Sequence, residues 1–167
     1  SQGGLRDALN LLEQSTLIYG TSVRLFQAQE MLGLTGDPRA LSVAMFVLQG
    51  DVSGSLRLIS QAGQDGVDLR QFTKEIIDYL RSVLLIKTNT ADSVDLPSAT
   101  VEMLKTLSKS VVLDNVVKCL EFFTAIDFRQ EHRPDIALEL AAVKSCSYAS
   151  QIIIDATVVT ETVGVLV

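Results

Sequence analysis

The chain has 167 residues, of which 47% are hydrophobic and only 5% aromatic, and it contains no tryptophan. This length can bury one core of ordinary size, and a composition rich in Leu, Ala, Val and Ile suits packed helices better than a sandwich or a barrel. The net charge of −6, without a basic cluster along the chain, argues against a dedicated nucleic-acid surface.

The sequence shows no arrangement of residues that is typical of catalysis or metal binding. His132 is the only histidine, and Cys119 and Cys146 fit no metal or redox spacing, so we expect two reduced thiols in a helical core. Neither a phosphate-binding Gly-x-x-x-x-Gly-Lys-[Ser/Thr] loop nor a Gly-x-Ser-x-Gly elbow occurs. We therefore expect this chain alone to have no catalytic residue, no metal and no cofactor. No secretory signal stands at its start, which is Ser1 rather than Met, so we expect a cytoplasmic piece of a longer protein.

Apolar residues recur at helical spacing along most of the chain. Two helices are predicted over residues 5–18 and 22–32, and Gly33 is a suitable cap for the second. Six more helices are predicted to begin near residues 38, 52, 69, 97, 113 and 134. The helix that begins near residue 113, the seventh of the chain, is predicted to continue to about Phe128. The chain is therefore predicted to be an all-α bundle of about eight helices.

Three aspartates mark predicted helix starts. Asp37 is expected to cap the third helix with Pro38 as its first residue, because Asp and Pro are both favoured at these positions. Asp51 and Asp68 are expected to cap the fourth and fifth helices. The fifth is predicted to be the longest.

The end of the chain changes character. The eighth helix begins at Pro134 and is predicted to turn Ile136, Leu140 and Val143 inward. The segment 152–167 is rich in β-branched residues, which favour strands over helices, and it is too short and too interrupted by acidic residues to span a membrane. An extended tail is predicted there, and a continuation of the eighth helix is the competing interpretation.

Arg6 is the candidate binding residue. It lies at the flank of an apolar stripe formed by Leu5, Ala8, Leu9 and Leu12, in the first turn of the first predicted helix. A cation is badly placed there, because a helix N-terminus carries partial positive charge. A phosphate-bearing ligand would account for an arginine at this position, since the guanidinium donors suit phosphate oxygens. A solvated surface arginine is the alternative.

A family resemblance begins at the same residues. One segment of this chain resembles the sensor 2 helix of AAA+ ATPases: Leu5-Arg6-Asp7-Ala8-Leu9-Asn10-Leu11-Leu12-Glu13-Gln14. Its wording is most similar to the gamma/tau subunits of bacterial DNA polymerase III, the clamp-loader ATPases. The resemblance implies that Arg6, and no other residue here, reaches the phosphates of ATP bound with Mg²⁺ on a preceding domain of the full-length protein.

The resemblance spans roughly residues 3 to 145. Met31–Leu34 is similar to the end of the family's lid domain. The family's third domain is resembled by four further segments of this chain: Gly50-Asp51, Gly66–Phe72, Leu80–Lys87 and Arg133–Leu140. It implies three parts: the end of an AAA+ lid domain with the sensor 2 helix over 1–35, an all-helical collar over 36–146, and a tail of uncertain structure over 147–167.

The resemblance also implies partners. In that family, five collars pack into a ring, and the assembled ATPase loads the sliding clamp onto primed DNA. The expected partners of this chain are therefore other clamp-loader subunits: further gamma/tau copies, delta and delta-prime. The sliding clamp and primed DNA would be reached through other parts of the complex, and no membrane is expected.

Adjacent apolar residues are consistent with a collar. They occur at Ile76-Ile77, Val83–Ile86, Val111–Leu113 and Phe122-Phe123. Neighbouring positions lie about 100° apart on a helix, so one core does not easily bury both. A second face would then meet neighbouring subunits, with Ile86 and Phe123 as candidates, and a large core in a helical bundle is the alternative.

Two other functions stay open from the sequence. A generic helical interaction module is one, although no repeat of 34 or about 40 residues stands out. The lid and oligomerisation region of another AAA+ ATPase is the other, and it would lack the Gly66–Phe72 pattern.

Overall fold

The computed structural model describes residues 36–165, and over this range the chain forms six α-helices, one short 3-10 helix and no strand. The α-helices are α1 (Arg39–Gln49), α2 (Val52–Gln64), α3 (Leu69–Lys87), α4 (Ser98–Ser110), α5 (Leu113–Thr124) and α6 (Pro134–Val165), and the 3-10 helix is Ala91–Ser93. The predicted all-α fold is confirmed. The six helices correspond to the last six of the eight predicted, and the first two, together with Arg6, lie outside the described residues.

Asp51 and Asp68 cap α2 and α3 as predicted. The Asp51 carboxylate accepts the N–H of Gly54 at 2.9 Å. Asp68 accepts the N–H groups of Arg70 and Gln71 at 2.9 and 3.3 Å. The first N–H groups of a helix have no partner within it, so these carboxylates fix where each helix begins.

α1 begins at Arg39, one residue later than predicted, with Pro38 before it. Asp37 still supplies the oxygen that accepts the Arg39 N–H, at 2.9 Å. The Arg39 guanidinium donates to Asp37 and to Asp65 at the end of α2, each at 2.6 Å, and the hydrogen bond with Asp37 raises the pKa of Arg39. The Asp37 N–H donates to Glu75 of α3 at 2.9 Å. The start of α1 is thereby tied to both following helices.

The core is built around α1, which packs against α2, α3, α5 and α6, whereas α4 packs mainly on α3. Phe72 of α3 and Phe123 of α5 are the largest fully buried side chains. Leu41, Val43 and Val47 of α1 lie between these helices and are also fully buried.

α5 ends at Thr124, earlier than the predicted Phe128. The N–H of Ile126 bonds to the carbonyl of Phe123, three residues back, and this tight turn closes the helix.

α6 corrects two predictions. With 32 residues it is the longest helix, against 19 for α3. It also runs through residues 152–165, so the extended tail is wrong and the competing interpretation, a continued helix, describes the molecule. Starting a helix is costly, but extending one adds a hydrogen bond for each residue fixed, so the preceding turns carry the β-branched segment. The predicted boundaries at 35/36 and 146/147 stay predictions, and α6 crosses the second without a break.

The buried face of α6 also differs from the prediction. Ile136 and Leu140 are exposed and Val143 is half-buried. The buried side chains are mostly small: Leu138, Ala141, Ala142, Ser145, Cys146 and Ala149. Small residues allow α1, α2 and α5 to lie close to α6, and this close packing leaves the larger aliphatic side chains on the outside.

Candidate subunit interface

The exposed large apolar side chains of the described residues all lie in the last two helices or at their edge. They are Val112, Leu113, Val117, Ile136, Leu140, Ile153, Ile154, Val158 and Val159. Helices α1 to α4 contribute none. Because soluble domains rarely expose contiguous apolar patches, such a concentration indicates an interaction surface.

The first group, which we call the α5 patch, consists of Val112, Leu113 and Val117. Their exposed fractions are 53%, 43% and 37%. Within α5 itself, Val116 is buried and its neighbour Val117 is exposed, so the helix turns one apolar face to the core and a second to solvent. The run Val111–Leu113 was among the adjacent apolar residues in the sequence; Val112 and Leu113 are exposed as predicted, but Val111 and Val112 are extended residues before α5 and only Leu113 lies in the helix.

The other adjacent apolar residues serve the core. Ile77, Leu84, Ile86 and Phe122 are half-buried and pack against the buried cluster. Phe123 is 1% exposed, so the hypothesis that it faces a neighbouring subunit is wrong. At these positions the alternative of a large helical core describes the molecule better, because both of two adjacent apolar side chains pack against the buried cluster.

The position of α6 is fixed by contacts at one end of the bundle. The Tyr148 hydroxyl donates to Asp114 in the first turn of α5, which raises the pKa of Tyr148. On the opposite side, the hydroxyl of Ser150 lies 2.9 Å from the place a Cβ would occupy at Gly50, which ends α1 with a φ of 81°. The start of α5 and the end of α1 thus both meet α6 at residues 148–150.

Beyond this level α6 continues past the bundle. None of the described side chains from Gln151 to Val159 is buried, and Ile153, Ile154 and Val159 are 57%, 61% and 61% exposed. At 1.5 Å per residue, the stretch 151–165 extends about 22 Å. We call it the projecting half of α6. A helix with apolar residues on several sides is normally covered by other protein, so the projecting half is a second candidate interface.

Buried polar groups next to these surfaces are structural. Asn115 is 4% exposed, donates to the Leu48 carbonyl at 3.0 Å and accepts from the Cys119 thiol at 3.7 Å. Burial raises the pKa of Cys119 to about 12, and that of Cys146 is also raised. Both thiols are free and buried, which confirms the prediction of core cysteines. Protonated, covered thiols are poor nucleophiles.

The described part of the chain offers little for a small ligand. Two open depressions of about 430 and 330 Å³ border α3. The larger carries charges of both signs, from Asp92, Glu102, Lys105 and Lys109. Residues 36–165 contain no group of three or more His, Cys, Asp or Glu placed to hold a metal. Among the six described α-helices, none combines the length and the hydropathy that a membrane span requires.

The molecule is thus an all-helical bundle with an apolar flank suited to association with other proteins. Residues 23–157 match the family model of DNA polymerase III subunits gamma and tau, domain III. The chain belongs to this family.

Two curated relatives agree with this assignment. The chain is 25% identical over 154 residues to DNA polymerase III subunit tau of Bacillus subtilis (strain 168), a match that covers 90% of the chain and 27% of that protein. It is 26% identical over 88 residues to DNA polymerase III subunit gamma of Buchnera aphidicola subsp. Schizaphis graminum (strain Sg), covering 53% of the chain and 24% of that protein. The matches therefore span about a quarter of the length of these relatives. No solved structure matches the chain significantly.

Proposed function

We propose that this chain is the subunit-assembly collar of a bacterial clamp-loader ATPase, acting in the cytoplasm. The single observation that carries the proposal is that every exposed large apolar side chain of the described residues lies between Val112 and Val159. A domain that works alone has no need to concentrate apolar surface on two neighbouring helices, whereas a subunit of a ring uses such a flank at every contact.

The membership in the gamma and tau domain III family supports this proposal. The proposed partners are further gamma/tau copies, delta and delta-prime, and the sliding clamp and primed DNA are reached through other parts of the complex. The chain's net charge of −6 agrees with leaving contact with DNA to those parts.

Arg6 takes its proposed role from the resemblance alone. In the full-length protein it contacts the phosphates of ATP, which binds with Mg²⁺ on a preceding domain, and the ATPase activity belongs to that protein. The arginine thereby connects nucleotide binding to the lid, and the collar holds the subunits together while they respond.

The α5 patch provides a clean test of assembly. Leu113→Glu places a carboxylate at the first position of α5, where an anion favours the helix N-terminus, so the fold should be kept. A desolvated, unpaired charge inside an interface is strongly unfavourable. We expect co-elution of the chain with delta and delta-prime to weaken at least tenfold, measured by size-exclusion chromatography with light scattering.

Ser98→Glu is the matched control. Ser98 is also exposed and is the first residue of α4, on a helix that has no exposed large apolar residue. This variant should assemble like the unchanged chain. If the unchanged chain fails to bind either subunit, or if the two glutamates act alike, the collar proposal at this patch is refuted.

A further inference from the structure

The chain enters the bundle through residues 36–39, a short link that bonds to two helices other than its own. The N–H of Asp37 donates to the Glu75 carboxylate of α3 at 2.9 Å. The Arg39 guanidinium donates to Asp65, at the end of α2, at 2.6 Å. A link attached only to the helix that follows it can rotate about its own backbone bonds. These two bonds instead attach the link to helices that the core already fixes.

Gly36 crosses directly over the Glu75 carboxylate. Its φ of 115° lies in a region that residues with a side chain rarely adopt. A Cβ added at Gly36 would lie 2.9 Å from each of three atoms of that carboxylate, Cδ, Oε1 and Oε2. Both the backbone conformation and the available space therefore require glycine here, and the carboxylate is packed against the chain where it enters the bundle.

The Glu75 carboxylate is oriented by its own helix. Gln71, one turn earlier in α3, donates to Oε1 at 3.2 Å, while Oε2 accepts the Asp37 N–H. The next residue, Ile76, is fully buried, so this turn of α3 is part of the core. Glu75 therefore connects the entering chain to a fixed point.

Asp37 joins the two attachments. While its N–H bonds to Glu75, its carboxylate accepts from Nε and Nη2 of Arg39, at 2.9 and 2.6 Å. The side chains of Asp37 and Arg39 are only 15% and 18% exposed. A two-point contact of this kind has a stronger directional preference than a single exposed ion pair. The link is therefore held in one orientation by bonds on both sides.

We propose that Glu75 is a positioning residue: by holding the Asp37 N–H, it sets the direction in which the backbone before Gly36 leaves the bundle. We call Gly36, Asp37, Arg39, Asp65 and Glu75 the entry clasp. The joint between the bundle and the preceding part of the chain is thereby stiff, and the two change orientation together instead of rotating about a flexible hinge.

The entry clasp gives the proposed function a mechanical connection. In that function the joint lies between the lid that carries Arg6 and the collar, and a stiff joint transmits a rotation of one to the other. This use of the clasp rests on the proposed function. The stiffness itself does not, because it depends only on contacts among residues 36–75, and its test needs neither nucleotide nor another subunit.

Hydrogen exchange of the Asp37 amide tests the bond to Glu75. Because Asp37 precedes α1, that helix offers its N–H no carbonyl. In the 167-residue chain we expect its exchange, followed by NMR, to be at least about tenfold slower than in an unstructured peptide. Glu75→Ala should remove this protection, whereas Glu75→Gln, whose amide oxygen still accepts, should keep it. The amide of Val47, a fully buried residue of α1, should exchange equally slowly in all three chains.

The distance between two spin labels tests the direction. The labels are attached at Thr35→Cys, next to the clasp, and at Arg57→Cys, an exposed position of α2. We expect one narrow distance distribution, which broadens at least about twofold with Glu75→Ala and keeps its width with Glu75→Gln. Asp78→Ala removes an exposed carboxylate three residues further along α3, and this matched control should change nothing. The two native cysteines are buried and take no label.

Three results would each overturn the proposal: an Asp37 amide that exchanges as in an unstructured peptide, a distance distribution equally wide with and without the Glu75 carboxylate, or a Glu75→Gln chain that behaves like Glu75→Ala. If the clasp passes these tests but the chain binds neither delta nor delta-prime, the collar is refuted and the positioning role stands. The reverse result would do the opposite. Circular dichroism verifies that every variant is folded.

Discussion

At the scale of single residues, Asn115 links two helices through a buried hydrogen bond. Its side-chain amide donates to the carbonyl of Leu48, in the last turn of α1, where carbonyls have no partner within the helix. Asn115→Leu keeps the number and the branching of the side-chain heavy atoms but leaves this carbonyl without its donor. We expect the free energy of unfolding to fall by about 1–3 kcal/mol in urea titrations.

The control for this prediction is Gln64→Leu, which removes an exposed amide at the end of α2. It should change the free energy of unfolding by less than about 0.5 kcal/mol. Equal losses in the two variants would mean that the bond to Leu48 contributes nothing specific.

Cys119 makes stability depend on pH in the alkaline range. Burial raises its pKa from 9.0 to about 12, so the folded state keeps the thiol protonated where the unfolded chain has already lost the proton. The contribution of this residue is complete below pH 9 and is lost as the pH rises towards 12. We expect it to lower the free energy of unfolding by up to about 1.4 kcal/mol per pH unit in that range. Cys119→Ala should flatten this slope, and an unchanged slope would contradict the assignment.

At the scale of helices, the sequence predicted the starts better than the faces. Asp51 and Asp68 act through bonds to N–H groups two or three residues away, so a local pattern is enough to find them. The inward face of α6 depends on which neighbours approach it. Apolar residues occur on both sides of this helix, so the sequence pattern predicted that Ile136 and Leu140 face inward. In the structure, close packing with the neighbouring helices buries the small residues instead.

The C-terminal half of α6 shows the limit of residue propensities. β-branched side chains lower helix propensity by only a few tenths of a kcal/mol each, and a helix already formed as far as Ala149 outweighs that preference. The exposed residues that now form the candidate interfaces were thus missed for one reason: burial is decided by the whole bundle. Two adjacent apolar residues were the available signal, and at Val111–Leu113 the signal found exposed residues for a different reason, because Val111 and Val112 lie in the extended link before α5.

At the scale of the whole molecule, the packed helices hold the buried core, whereas the projecting half of α6 adds no described side chain to it. Deleting the residues after Gln151 removes no described side chain that is buried. The shortened chain should keep its free energy of unfolding within about 0.5 kcal/mol, measured by urea titration. Ala149→Asp is the opposite control, because Ala149 is 2% exposed and a buried carboxylate costs several kcal/mol. A large stability loss on deletion would show instead that the projecting half folds back onto its own bundle, which would leave it no surface for a partner.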